Sequence, residues 1–294
     1  MGNRANTEYI SSPEGLKRAA LNDSILEARA VRCDAAKNLI VELGGCTGII
    51  PRNETAIGAE SGELRDIAII SQVGKPVCFK VTGFENNTAV LSRRAAQEEA
   101  LETYMATLQN GDILGARVTH LEPFGAFVDI GCGLISLIGI ENISISRISH
   151  PSDRFEVGQE IFAAVLSVDR ETRRVSLTHR ELLGTWEENA ALFNVGETVA
   201  GIVRGIEEYG SFIELTPNLS GLTERREGLR EGDGVSVYIK SINPERMKVK
   251  LLVIESFERY QTLPKLGYFI TGGKLDEWIY SPASCDKKVI SRKF

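Results

Sequence analysis

Two pairs of aromatic residues have the types and spacing that best support binding chemistry in this sequence. Phe124 and Phe127 form one pair, and Tyr209 and Phe212 form the other, with a glycine after the first ring of each. A ring that stacks on a flat ligand such as an unpaired base contributes about 1–3 kcal/mol. The glycine would let a strand bend or bulge so that both rings reach one surface. We expect Phe124 and Tyr209 to be exposed, whereas Phe127 and Phe212 could equally lie in a core.

Basic side chains that could hold phosphate groups lie in the same two regions of the chain as the aromatic pairs. An arginine can pair with a phosphate and also stack on a ring, while a lysine contributes a point charge. The alternative for each residue is a solvated turn that holds no ligand. The candidates for phosphate contacts are Arg173, Arg174, His179, Arg204, Lys248 and Lys250.

The two aromatic pairs belong to an internal repeat. Residues 111–130 align without a gap on residues 196–215, and residues 157–178 align on residues 231–252. A fainter copy covers about residues 24–94. Each copy alternates apolar and polar residues in short runs, which is the pattern of half-buried strands. Three units of one small β fold are the simplest account.

Composition favours a globular protein outside the membrane. The chain has 294 residues, with 34 Lys and Arg against 40 Asp and Glu, and a formal charge of −6 that argues mildly against polyanion binding. No apolar run approaches the roughly 20 residues of a membrane-spanning helix. The five cysteines are an odd number without a C-x-x-C pair, which argues against a disulfide framework or a zinc knuckle. We expect a cytoplasmic protein with no membrane contact.

The sequence offers no convincing set of catalytic residues. The three histidines, His120, His150 and His179, lack the spacing of metal ligands. The glycine-rich residues 44–48 lack the Lys-Ser/Thr ending of a phosphate-binding loop. Cys132 has no histidine close to it in the sequence. We therefore predict that the chain is not an enzyme and has no catalytic residue, no metal site and no cofactor.

Three motifs of the second repeat resemble one RNA-binding family. Residues 124–130 read FGAFVDI, residues 157–159 read VGQ, and residues 174–177 read RVSL. This combination resembles the S1 domain, a repeat named after the largest protein of the bacterial small ribosomal subunit. The whole arrangement is similar to short S1-like ribosomal proteins of bacteria. The resemblance implies OB-fold barrels that bind single-stranded RNA, with Asp169 and Arg174 at the acidic and basic positions of the family.

The repeats and the resemblance together predict the domain organisation. The fold class is all-β, with tandem five-stranded OB-fold Greek-key barrels joined by short helical linkers. Amphipathic patterns place helices at residues 95–108 and 181–193. A small C-terminal extension, rich in aromatic residues, is expected to pack on the third barrel. The predicted segments are an N-terminal segment (1–23), three barrels (24–94, 111–182 and 196–254), two linkers (95–110 and 183–195) and the extension (255–294).

Departures from the family pattern lower the expected affinity for RNA. Gly139 stands where the family usually has histidine, and Glu141 stands where it has serine. Residues 111–182 contain no lysine. Residues 37–42 form the corresponding hairpin of the first repeat without an aromatic pair, so this repeat is expected to bind protein or to act as a scaffold. Tethered weak sites still bind usefully, because each bound barrel raises the effective concentration of the strand at the next.

The sequence therefore predicts a protein that binds single-stranded RNA, with messenger RNA in translation or on the ribosome as the expected ligand. The small ribosomal subunit is the expected assembly partner, and we expect the chain to be a monomer. The alternative is a protein-interaction or ribosome-docking module in which RNA binding is vestigial. The acidic net charge favours this alternative, whereas the paired aromatic residues favour RNA.

Overall fold

The computed structural model describes residues 3–62, 64–86, 88–257, 266–286 and 289–294. These residues form three closed five-stranded barrels and one two-stranded sheet, which confirms the predicted fold class. The chain divides into two compact units. One unit contains Met1–Thr107 with Gly131–Leu134, and the other contains Leu108–Ile130 with Ile135–Phe294.

The first barrel has five strands and is accompanied by four helices. The strands are β1 (Leu26–Cys33), β2 (Leu39–Leu43), β3 (Cys46–Ile50), β4 (Pro76–Glu85) and β5 (Thr88–Ser92). The helices are α1 (Asn3–Ile10), α2 (Pro13–Leu21), α3 (Asp66–Ile70) and α4 (Arg93–Thr107), with a 3-10 turn at Arg52–Glu54. The barrel closes in the order β1-β2-β3-β5-β4, with β3 and β5 parallel. Val77, Phe79 and Val81 alternate along β4 and fill the interior.

Helix α2 of the N-terminal segment begins with a side-chain cap. The Ser12 Oγ accepts a hydrogen bond from the backbone N–H of Gly15 at 3.1 Å, and Pro13 occupies the first turn of α2. Leu16 and Ala19 of this helix are buried in the core of the first barrel. The segment is thereby part of that barrel's hydrophobic core.

The second and third barrels repeat one topology. The second contains β6 (Ile113–Glu122), β7 (Gly125–Asp129), β8 (Ile135–Gly139), β9 (Glu160–Asp169) and β10 (Arg174–Thr178). The third contains β11 (Thr198–Glu207), β12 (Gly210–Thr216), β13 (Leu219–Thr223), β14 (Gly234–Asn243) and β15 (Lys248–Phe257). In each barrel the third strand pairs in parallel with the fifth and closes the sheet. The second unit also has 3-10 turns at Ile140–Asn142, Pro151–Asp153 and Arg180–Leu183.

Of the two predicted linker helices, one forms and the other forms only in part. Helix α4 accounts for the first of them, but the helix predicted over residues 181–193 forms only in part. The structure has the 3-10 turn at Arg180–Leu183 and then the short helix α5 (Trp186–Ala190). Gly184 lies between them with a φ of +83°, which breaks the helical path. Thr185 then starts α5 with a capping box.

The C-terminal extension contacts the second barrel as well as the third, so the prediction that it packs on the third barrel is incomplete. The backbone N–H of Phe269 donates to the Leu182 carbonyl at 3.0 Å, and that of Leu275 donates to the Gly111 carbonyl at 2.9 Å. Trp278 is buried in the core of the third barrel. The extension ends in a small sheet of β16 (Glu277–Ile279) and β17 (Ser291–Lys293). Residues 258–265 and 287–288 lie outside the described residues.

A chain of buried ion pairs joins the second barrel to the third. Arg154, in the connection between β8 and β9, has a 0% exposed side chain and pairs with the 2% exposed Glu214 on β12. Arg204 on β11 donates from Nε to the same carboxylate at 2.8 Å and lies 3.4 Å from Asp153. Each of these buried charges has a partner of opposite sign, and removing one partner would leave an uncompensated charge at a large cost in stability. The two barrels therefore share charges that are withdrawn from solvent.

Candidate nucleic-acid interface

The first aromatic pair lies on the outer face of the second barrel. Glu122 pairs with Gly125 across the hairpin, which places Phe124 in the two-residue turn between β6 and β7. Phe127 points outward from β7, because its neighbours Ala126 and Val128 are buried in the barrel. Phe124 is 56% exposed. The two ring centroids are 5.9 Å apart and the planes meet at 89°, an edge-to-face contact.

The third barrel repeats this arrangement. Tyr209 lies in the turn between β11 and β12 and is 67% exposed, and Phe212 faces outward from β12. Their ring centroids are 6.2 Å apart at 89°. The structure therefore exposes Phe124 and Tyr209 as expected, and it places Phe127 and Phe212 on the outer faces of their barrels.

The glycine of each pair acts differently from the expected bend or bulge. The β-bulges lie in the preceding strand, where Thr119 and Arg204 are the extra residues. At Gly125, a Cβ atom would lie 2.5 Å from the carbonyl oxygen of Ile138. At Gly210, a Cβ atom would overlap the Thr223 carbonyl, and the φ of +154° disfavours other residues. Glycine is needed because the neighbouring strand occupies the space of a side chain.

Strand register places one predicted lysine beside the rings of the third barrel. Phe212 lies opposite Leu222, and Leu222 lies opposite Lys250, so the three side chains form one outer row across β12, β13 and β15. With strands about 4.8 Å apart, Lys250 lies about 10 Å from Phe212, a separation that suits a phosphate next to a stacked base. In the second barrel, the corresponding row is Phe127, Leu137 and Ser176. The outer row therefore carries a cation in the third barrel only.

The turn between β9 and β10 carries the predicted acidic and basic residues. Asp169 and Arg174 face each other in register. The Asp169 carboxylate accepts the backbone N–H groups of Glu171 and Thr172, both at 3.0 Å, and the hydrogen bonds from Thr172 lower the pKa of Asp169. Its observed contacts thus hold the turn. Arg173 has a φ of +53°, and its side chain, like that of Arg174, is exposed.

Two predicted phosphate contacts are corrected by the structure. His179 is 0% exposed, with Nδ1 2.8 Å from the Ile143 carbonyl and Nε2 3.0 Å from the Tyr268 hydroxyl. These partners fix the neutral imidazole with Nδ1 as donor and Nε2 as acceptor. Burial lowers the pKa of His179 to about 4. Arg204 is only 10% exposed and is engaged by Glu214 and Asp153. Both residues hold the interior of the second unit together instead of facing a ligand.

Lys248 is placed like Arg174. It begins the last strand of its barrel and faces Asn243 across the turn. The side-chain oxygen of Asn243 accepts the backbone N–H of Arg246 at 2.8 Å, which repeats the turn-holding contact of Asp169. Lys248 and Lys250 are both exposed. The exposed cations that remain as candidates are Arg173, Arg174, Lys248 and Lys250.

The structure adds one residue that sequence reasoning did not select as an RNA contact. His120 lies directly opposite Phe127 in the hairpin, and its ring stacks on that ring with centroids 6.2 Å apart and planes at 27°. Its side chain is 63% exposed. The sequence did not reveal this contact, because the pairing of His120 with Phe127 depends on a bulge at Thr119. The alternating pattern does not mark that bulge.

The outer face of the first barrel lacks the ring pair. With the bulge at Val31, Ile40 takes the place in this barrel that Phe127 takes in the second. Ile40 is 8% exposed. In this hairpin the place of Phe127 is therefore held by a buried aliphatic side chain.

In the part of the chain that the structure describes, no cluster of three or more His, Cys, Asp and Glu residues is arranged to hold a metal ion. Among the same residues, no helix has the length and apolarity to cross a membrane.

The fold and the two ring pairs define a class of protein, a tandem array of OB-type barrels with aromatic outer faces. A model of the S1 RNA binding domain matches residues 107–180. Small ribosomal subunit protein bS1 of Staphylococcus aureus is 27% identical over 268 residues, which cover 85% of this chain and 66% of that protein. The bS1 homolog of Bacillus subtilis is 33% identical over 187 residues, which cover 58% of this chain and 49% of that protein. The chain is therefore similar to bS1 proteins over most of its length and contains one region that matches the S1 RNA binding domain.

The chain spans about half to two thirds of the length of these relatives. Among solved structures, a multidomain protein with nucleic acid binding domains from Streptococcus pneumoniae aligns with 79% of this chain and 73% of its own chain. The sequence identity there is 15% and the TM-score is 0.27.

We expect Gly125→Ala to destabilise the second unit by about 2 kcal/mol or more, because the new Cβ would overlap a strand carbonyl. Gly115→Ala is the matched control in the same barrel, since a Cβ there has no atom within 4 Å. Its effect should stay within about 0.5 kcal/mol. Urea unfolding of the full chain measures both. Equal stability of the two variants would contradict this account.

We expect buried His179 to make stability depend on pH. Burial lowers its pKa from 6.5 to about 4, so between these values the unfolded chain binds a proton that the folded chain does not. The contribution of His179 to the free energy of unfolding has its full value above pH 6.5. It falls by roughly 3 kcal/mol as the pH drops to about 4. Urea unfolding at several pH values measures this loss. The loss of stability at low pH should shrink in His179→Gln and persist in the control His120→Gln. An unchanged dependence of stability on pH in His179→Gln would disprove the role of His179.

Proposed function

We propose that this chain is a cytoplasmic protein that binds single-stranded RNA, and that its ligand is messenger RNA on or near the small ribosomal subunit. The observation that carries the proposal is the repeated ring pair. Phe124 with Phe127 and Tyr209 with Phe212 form edge-to-face pairs on the outer faces of two barrels. The match to the S1 RNA binding domain and the similarity to bS1 proteins support the same ligand class.

The rings and cations act on different parts of a nucleotide. An exposed ring takes the face of an unpaired base, which is free only in a single strand. The backbone phosphate then lies within reach of a side chain farther along the outer face, where the third barrel has Lys250. The second barrel has Arg173 and Arg174 at its last turn. Phosphate contacts release counterions, so binding that uses them weakens as salt rises.

Acidic residues beside the rings limit the affinity of each barrel. Glu207 and Glu208 are exposed next to Tyr209, and Glu122 directly precedes the turn that holds Phe124. Carboxylates near a polyanion raise the free energy of the complex. Two barrels in one chain compensate, because binding at one raises the effective concentration of RNA at the other.

The second candidate function is docking to basic proteins of the ribosome. The observation in its favour is this acidic rim of Glu207 and Glu208 in a chain with a net charge of −6. In that case RNA binding would be weak and independent of the rings. The same titration separates the two functions.

We expect Phe124→Ala and Tyr209→Ala each to weaken binding of a labelled single-stranded RNA about fivefold or more, through loss of one stacked base. Lys250→Ala should lower the slope of log affinity against log salt by about 0.7. Fluorescence anisotropy at low and moderate salt measures both effects, with single-stranded DNA and duplex RNA in parallel.

The matched control is Tyr238→Ala. Tyr238 is an exposed ring of the third barrel on β14, where it pairs with Thr198 and Leu252 and lies outside the row of Phe212, Leu222 and Lys250. This variant should bind RNA like the wild type. Ring variants that bind as tightly as Tyr238→Ala would exclude stacking on these rings, and absence of saturable binding would favour the docking function.

A further inference from the structure

We propose that His120 is a third stacking ring of the second barrel, so that this barrel holds RNA through three rings where the third barrel uses two rings and a lysine. The inference rests on the proposed RNA binding and assigns a contact within it. It follows from the register of the hairpin, the ring geometry and the comparison of the two barrels.

The three rings form a continuous outer surface. His120 on β6 faces Phe127 on β7, with their centroids 6.2 Å apart and planes at 27°. Phe127 in turn contacts Phe124 at 5.9 Å. The His120 side chain is 63% exposed, so a ligand can reach it. Bases of a single strand could thus stack on either side of Phe127.

His120 contributes to RNA binding through its ring and not through a charge. Its Nε2 lies 2.7 Å from Oε1 of Glu122, two residues along the same strand. A phosphate that approached this nitrogen would meet the carboxylate and be repelled. The carboxylate holds the imidazole edge and leaves the face free. The contribution of His120 should therefore depend little on salt.

The third barrel lacks this ring and has a cation instead. Gly205 lies opposite Phe212, at the place that His120 takes opposite Phe127. At the other end of the row, Lys250 stands where the second barrel has Ser176. Both barrels thus have a phenylalanine at the centre of the row. The second barrel adds the ring of His120 at one end, and the third adds the charge of Lys250 at the other.

The test is an anisotropy titration of labelled single-stranded RNA with the full chain at low and high salt. His120→Ala should weaken binding about fivefold, by the same factor at both salt concentrations. His120→Phe should retain the affinity, because it keeps a ring. His120→Lys should stay as weak as His120→Ala, because it supplies charge without a ring. Lys250→Ala should lose more affinity at low salt than at high salt.

A graft into the third barrel provides a gain-of-function test. A Cβ built at Gly205 has only the Cδ2 of Phe212 nearby, at 3.8 Å, so the site has room for a side chain. Gly205→His should tighten binding by about the factor that His120→Ala loses. Gly205→Leu is the matched control, which adds an apolar side chain of similar reach without an aromatic face, and it should leave the affinity unchanged.

The outcomes separate this inference from the proposed function. If His120→Ala binds like the wild type while Phe124→Ala is weak, His120 is not a stacking ring and the proposed function stands. Restoration by His120→Lys, or a loss that disappears at high salt, would also overturn the inference, because it would assign His120 to a phosphate. If the variants of Phe124 and Tyr209 also bind normally, the proposed function itself fails.

Discussion

The structure of both ring pairs depends on one close backbone approach. At Gly125 and Gly210, the strand that follows the aromatic turn lies so near the neighbouring carbonyl that no Cβ fits. The turn residue that precedes each glycine, Phe124 or Tyr209, is exposed to solvent. The ring three residues later contacts it edge to face, with ring centroids 5.9 Å apart in the second barrel and 6.2 Å apart in the third. Main-chain packing at each glycine therefore constrains the backbone from which both rings project.

Packing within and between the barrels also determines which polar residues remain exposed to a ligand. A closed barrel buries alternate residues, and the second and third barrels also bury part of their outer surface against each other and against the extension. Arg154, Glu214 and Arg204 are used there as ion pairs, and His179 is used as a neutral link between a carbonyl and Tyr268. Exposed rings remain at the two aromatic turns, and exposed cations remain at the turns before the last strands.

The sequence was sufficient for the fold class, because alternation within strands and repetition between units are local patterns. It was also sufficient for the exposure of Phe124 and Tyr209, since turn residues have no buried side to occupy. It was misleading for His179 and Arg204, because their burial results from contacts between segments far apart in the chain. The break at Gly184 and the bulge at Thr119 were missed for a related reason. Each follows from packing that an amphipathic or alternating pattern does not encode.

The central claim is that RNA lies on the aromatic outer faces of the second and third barrels. Photo-crosslinking of a single-stranded RNA containing 4-thiouridine to the intact chain, followed by peptide mass spectrometry, tests it most directly. We expect cross-linked peptides that contain Phe124 to Phe127 and Tyr209 to Phe212, and loss of these products when unlabelled single-stranded RNA competes. Cross-links confined to the first barrel or to the extension would contradict the account.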